Sequence, residues 1–145
     1  MAKIHATMAR TWIGTPYIHQ ASAKGQGCDC LGLVRGVWRE AIGEEPVSIP
    51  PYTPSWTECT REEKLWQAAM TYLRPVDIDL GGLGDVVLFR MKSRSVAKHL
   101  GILSGACDTP RMVHALSGRC VLEAPLTPEW RGRIVAQFAF PLEKL

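Results

Sequence analysis

Nowhere in the chain do about eighteen apolar residues run without interruption, so no segment reads as a membrane-spanning helix. The first ten residues, Met-Ala-Lys-Ile-His-Ala-Thr-Met-Ala-Arg, hold no apolar stretch long enough for an export signal, and synthesis in the cytoplasm without one is the expectation. Charge of one sign is scarce as well: 17 basic against 14 acidic residues leave a net +3, too weak a field to draw in nucleic acid. Internal repeats and low-complexity tracts are missing, which excludes solenoid and disordered architectures. Cysteines at 28, 30, 59, 107 and 120 include no C-x2-C knuckle, and the histidines do not cluster. Cys28, Cys30, His99, His114 and Cys120 are soft enough to bind zinc, yet their spacing argues against it; neither a metal nor a cofactor is expected. Five cysteines cannot pair completely within one chain, so at least one thiol is free and structural disulfides are not expected.

What is present is enough for one core. A chain of 145 residues, 46% hydrophobic and 21% charged, buries a single respectable interior, so one domain over 1–145 is expected. Ile4, Met8 and Trp12 recur every four residues and predict a helix over 2–13, stopped by Gly14-Thr15-Pro16. Residues 14–29 carry Gly14, Pro16, Gly25 and Gly27 and read as a loop. From Cys30 to Ile42, Leu33, Val34, Val37, Trp38 and Ala41 lie on one helical face, closed by Gly43. Four prolines between 46 and 54 predict an extended surface segment. Thr60 and Glu63 fit a capping box for a third helix carrying Leu65, Ala68, Ala69, Tyr72 and Leu73, ended by Pro75. The period then changes: 85–91, 100–104, 111–116, 119–123 and 133–140 are β-prone runs between turn residues. Helices first and strands after indicate an α+β fold, N-terminal helices packed on a C-terminal antiparallel sheet.

Chemistry gathers around Cys30. A free cysteine is most often a core residue, but Gly25-Gln26-Gly27-Cys28-Asp29 forms a loop ending at an acidic N-cap, which puts Cys30 on the first helical turn. There unpaired amides and the positive end of the helix dipole favour a thiolate near neutral pH and provide donors for an oxyanion. His99, at the start of a strand, can present an imidazole to that thiol. His114 lies 15 residues later, so neighbouring antiparallel strands set the two rings side by side, the second fixing the tautomer of the first. Cys30, His99 and His114 in this order read as a papain-like thiol hydrolase. Tyr17 either packs or aims its hydroxyl at the thiol pocket, and spacing leaves both open. Tyr52 and Trp56, aromatic residues among the prolines of 44–59, suggest a docking or substrate-lining surface.

Several of these segments resemble the NlpC family of papain-like cell-wall cysteine peptidases. Trp12-Ile13-Gly14-Thr15-Pro16-Tyr17 is similar to the family's entry segment, Asp29-Cys30-Leu31-Gly32-Leu33-Val34 to its nucleophile motif, Gly84-Asp85-Val86-Val87-Leu88-Phe89 to its first sheet strand and His99-Leu100-Gly101-Ile102 to its base motif. The resemblance implies a papain-like fold with Cys30 as nucleophile, His99 as general base, His114 as the orienting group, Tyr17 lining the pocket and Asp29 helping to bind substrate. More narrowly, His114-Ala115-Leu116-Ser117-Gly118, Glu123 to Pro128 and Trp130-Arg131 resemble the small tail-associated peptidases of phages and gene transfer agents. That implies phage-like tail or baseplate proteins as partners, assembly into a tail particle, and peptidoglycan as substrate, at a stem-peptide bond such as D-glutamyl to diaminopimelate. Leu31 stands where the family usually has Ser, which leaves the exact bond open. Two other roles fit the same fold: a structural tail plug or adaptor, and a thiol amidase or acyltransferase.

Overall fold

The computed structural model of the chain describes residues 2–50, 52, 62–78, 82–106 and 108–141. Helix α1 (Ala2–Arg10) is followed by the two-stranded hairpin β1 (Ser22–Ala23) and β2 (Gly27–Cys28), then by α2 (Cys30–Ala41) and α3 (Lys64–Tyr72). The six-stranded sheet follows: β3 (Arg74–Val76), β4 (Val86–Phe89), β5 (His99–Ala106), β6 (Thr109–Ala115), β7 (Val121–Pro125) and, after the short helix α4 (Pro128–Arg131), β8 (Ile134–Ala139). Its spatial order is β3-β8-β4-β5-β6-β7 with antiparallel pairing throughout, so the α+β arrangement read from the sequence is the one observed.

The sheet separates two apolar layers. Along β4 the side chains alternate: Val86 and Leu88 face one layer, Val87 and Phe89 the other, and all four are fully buried. The first layer holds Leu33, Val34, Val37 and Trp38 of α2, with Ala9 and Trp12, against Leu100, Ile102, Val113, Ala115 and Phe138. Each large apolar side chain buried there contributes about 1.5–3 kcal/mol, and this seats α2 across β5. Gly36 lets the Trp12 ring lie against α2, because a β-carbon there would run into it. The second layer is smaller: Val87, Phe89, Met112 and Leu126, with Met91, Leu103, Trp130 and Ile134 packed against them.

Four elements differ from the sequence reading. The first helix ends at Arg10, and 11–14 continue as a turn. Residues 14–29, read as loop throughout, contain the β1–β2 hairpin. Pro75 lies within β3 rather than simply beyond a helix: it sits on an outer strand, where its missing N–H costs no ladder bond. The third helix starts later than the capping box implies. Glu63 occupies the N-cap of α3 without a side-chain cap bond. Its carboxylate instead accepts from Ala97 N at 2.8 Å and from Arg90 Nη2 at 2.8 Å, tying the start of α3 to the connection that precedes β5. Thr60 and Trp56 lie outside the described residues.

Candidate active site

Cys30 is the first residue of α2, and Asp29 is its N-cap. Asp29 Oδ1 accepts from Gly32 N at 2.7 Å, which satisfies one of the amides that a helix start leaves open. Its Oδ2 accepts from Gln20 N at 2.8 Å and from the Tyr52 hydroxyl. Cys30 is thereby set on a rigid platform, with Sγ donating to the Lys98 carbonyl at 3.7 Å. The thiol therefore lies against the backbone on which His99 begins β5.

The two imidazoles meet. Ile102 pairs with Val113, and continuing that register one step puts Gly101 opposite His114, with His99 two residues away on the same face. A side chain at Gly101 would approach Met112 Sδ to 3.2 Å and His114 Cβ to 3.6 Å, so the glycine keeps clear the space between the two rings. His99 Nε2 lies 2.9 Å from His114 Nδ1. In the neutral pair one ring donates and the other accepts. If His99 donates from Nε2, its Nδ1 lone pair is left to take a proton. Among the described residues the hydrogen bonds of this group are thiol to Lys98 carbonyl and imidazole to imidazole; none joins the thiol to a ring.

The protonation states depart from the sequence reading. The amides of Leu100, Leu31 and Cys30 itself favour a thiolate, but burial outweighs them and the Asp29 charge adds to it, pushing the Cys30 thiol up to about 12. Burial, reinforced by His114, drives His99 down to about 3, and burial takes His114 down to about 4. Burial thus opposes the thiolate that the helix start alone would favour and points to a neutral thiol beside neutral imidazoles. The sign follows: above a pKa of 12 the sulfur is anionic, and each pH unit below it lowers the thiolate fraction about tenfold. Alkylation of Cys30 by iodoacetamide in the substrate-free protein is therefore expected to rise steadily from pH 6 to pH 10. A rate plateau in the acid range, followed by mass spectrometry of the labelled peptide, would instead reveal a thiolate–imidazolium pair.

Tyr17 reaches the same place. It bridges to Cys28, is half-buried, and has its hydroxyl pushed up to about 12 by burial, then by Cys30, Asp29 and Cys28. Tyr52 follows the stretch 44–50, which Glu45 pins to Arg35 at 2.6 Å and to Arg39 at 2.9 Å on α2. The Tyr52 carbonyl accepts from His19 Nε2 and from Gln20 Nε2, each at 2.6 Å. Because a carbonyl only accepts, His19 carries its proton on Nε2, and its Nδ1 faces Asp29 Oδ2 at 3.8 Å. Gln20 is the one described non-glycine residue with positive φ, at 67°, a strained conformation that aims both its amide and its side chain into this cluster. His19 and Gln20 were not legible as site residues, since nothing in their neighbourhood announces a left-handed turn without glycine.

Cys28, Cys30 and Cys120 are free thiols, while Cys59 and Cys107 lie outside the described residues. Among the described residues no group of three or more His, Cys, Asp or Glu side chains is placed to hold a metal ion, and no helix is long and apolar enough to cross a membrane.

No family model matches the chain. A protein of Bacillus subtilis strain 168 named gamma-DL-glutamyl hydrolase is 32% identical over 98 residues, 68% of this chain and 20% of the relative's own length. Among solved structures, the NlpC/p60 domain of the peptidoglycan hydrolase SagA superposes with a TM-score of 0.66 at 18% identity, covering 97% of this chain and 99% of that one. An NlpC/P60 family protein from Bacillus cereus ATCC 10987 does so with a TM-score of 0.64 at 19% identity, covering 94% of this chain and 39% of that one. At these identities the structural likeness is one of fold.

Proposed function

We propose that this chain, an α+β fold of the NlpC/P60 type, is a cysteine peptidase that hydrolyses peptidoglycan. The observation that carries the reading is a thiol at the open start of α2 lying against the Lys98 carbonyl, one residue before His99, whose imidazole is joined to that of His114 at 2.9 Å. His99 Nδ1 takes the thiol proton as Sγ attacks the peptide carbonyl, and the C–S bond forms as charge moves to the oxygen. The amides of Cys30 and Leu31 stand where an oxyanion would collect that charge. Collapse breaks the C–N bond, with the proton passing from His99 to the leaving amine. Water, deprotonated by the same imidazole, then cleaves the thioester to an acid and restores the thiol. His114 orients His99, Tyr17 lines the pocket, and Asp29 acts mainly as the helix cap, meeting substrate only where Tyr52 withdraws from it.

The finer reading places the cut in a stem peptide, at the D-glutamyl to diaminopimelate bond. The motif resemblance supports it, as does the name of the B. subtilis relative, which specifies a glutamyl bond. The tail-like segments at 114–118, 123–128 and 130–131 support a place on a phage-like tail or baseplate, as a delivery enzyme. The absence, among the described residues, of a hydrogen bond between the thiol and either imidazole is what favours the second reading, an adaptor that keeps the fold.

Incubation of purified peptidoglycan with the protein and with Cys30→Ala, followed by mass analysis of the soluble fragments, tests these readings. Release of stem-peptide fragments by the wild type alone is expected. Intact sugar chains freed of their peptides would indicate an amidase, and no release would leave the adaptor.

A further inference from the structure

We propose that Trp130 is a positioning residue for the histidine pair, its indole roofing both imidazoles and holding His99 against His114 Nδ1. The inference rests on the reading in which those two rings serve Cys30. The Trp130 ring lies 5.6 Å from His99 at 38°, 5.2 Å from His114 at 86° and 5.1 Å from Phe89 at 73°. Phe89 is also 5.7 Å from His99, so His99 packs against a pair of touching aromatic rings while its Nε2 is engaged by His114.

The origin of this roof points the same way. Helix α4 spans only Pro128–Arg131 and buries none of its residues fully; Trp130 alone of them packs on the second apolar layer, and the same ring reaches both imidazoles. Thr127 caps it, accepting from Trp130 N at 3.3 Å, and Pro128 supplies the first-turn geometry. The chain is then closed by Arg133 N donating to Trp130 O at 3.0 Å, and the Arg133 guanidinium stands 5.4 Å from the indole centroid. The effect of the whole turn is to lay one half-buried aromatic ring against a buried imidazole, His114, and a half-buried one, His99.

A hydrogen bond between two neutral rings survives where water is kept from competing for either nitrogen. Without the indole, water reaches the pair and the His99 ring gains alternative rotamers, so fewer molecules hold the tautomer with Nδ1 open to a proton. Substrate contacts are untouched by this, and the loss falls on turnover.

The test combines kinetics with ring N–H spectra of the full chain. In 15N-histidine-labelled wild-type protein an inter-imidazole N–H signal is expected, assigned by its disappearance in His114→Ala. Trp130→Ala should lose that signal and lower kcat by about tenfold to a hundredfold while KM stays within about twofold, the size of effect that misplacement of a reacting group produces. Trp130→Phe should keep the signal and most of the turnover, and Trp130→Leu, which retains bulk without an aromatic face, covers the case in which the alanine variant fails to fold. An intact signal with wild-type turnover in the Ala or Leu variant overturns the proposal, as does a rise in KM with the signal unchanged. If the wild type releases nothing from peptidoglycan, the hydrolase reading falls, and the spectra alone decide the role of Trp130.

Discussion

His99→Ala is expected to lower kcat on peptidoglycan by about two to four orders of magnitude, the usual contribution of a positioned general base. The reason lies in the protonation states. With the thiol pushed up to about 12, the sulfur does not ionise by itself at neutral pH, and attack depends on a group that takes the proton during the reaction. Burial keeps His99 neutral, with a lone pair for that proton, but weakens it as a base, so the transfer has to accompany formation of the C–S bond rather than precede it. His114→Ala should cost less, since it removes the group that holds the tautomer and leaves the base. Initial rates on purified peptidoglycan at pH 7, with circular dichroism to confirm folding, check both variants. Turnover in His99→Ala within tenfold of the wild type would remove the imidazole from the mechanism. Partial recovery of that variant's activity at alkaline pH, where solvent takes over the proton, would support it.

Gly32→Ala is expected to destabilise the protein by about 3 kcal/mol or more, at the upper end of what overpacking costs. A β-carbon at Gly32 would overlap the backbone oxygen of Ala21, which cannot swing aside as a flexible side chain would. That oxygen accepts from Asp29 N at 3.3 Å, while Gly32 itself donates to Asp29 Oδ1 at 2.7 Å and accepts from Ser22 Oγ at 2.6 Å. The strain therefore falls on the turn that carries Cys30. A melting point lowered by about 10 °C and turnover reduced along with it are the expected results. Gly82→Ala, at a position with open space and an ordinary backbone, is the control and should change the melting point little. A melting point for Gly32→Ala equal to the wild type would show that the hairpin and helix move apart at little cost.

The elements legible in the sequence were those whose period is local. Leu33, Val34, Val37 and Trp38 announce α2 because a single helical face meets a single layer, and the alternation around His99 and His114 announces two strands. The hairpin β1–β2 and strand β3 escaped because two or three residues carry no period; they exist through pairing with distant partners. Helix α4 was there to be found in Thr127-Pro128, a cap followed by a first-turn proline. Cys30 and the two histidines were identifiable by type and order, but the charge state was not. A helix start lowers a thiol's pKa by an amount equivalent to about 0.3–2 kcal/mol, whereas full burial moves it several units the other way. Which one prevails depends on the surroundings of the sulfur, among them an Asp29 cap completed by a tyrosine some twenty positions downstream, a contact no spacing rule contains. The structure accordingly adds Tyr52 at the Asp29 cap and Trp130 over the rings, the first noted in the sequence only as part of an aromatic surface and the second only within a motif.

The outer strands of the sheet have a bearing on how the protein behaves at high concentration. Pro75 interrupts the N–H row of β3, and Pro125 does the same at the far end of β7. The near end of β7 is occupied by the 14–15 stretch, with Gly14 N donating to Val121 O at 2.9 Å and Val121 N to Thr15 O at 2.8 Å. Among the described strands neither border of the sheet offers an unbroken ladder to a second molecule, so edge-to-edge pairing of folded copies is disfavoured when they are crowded together.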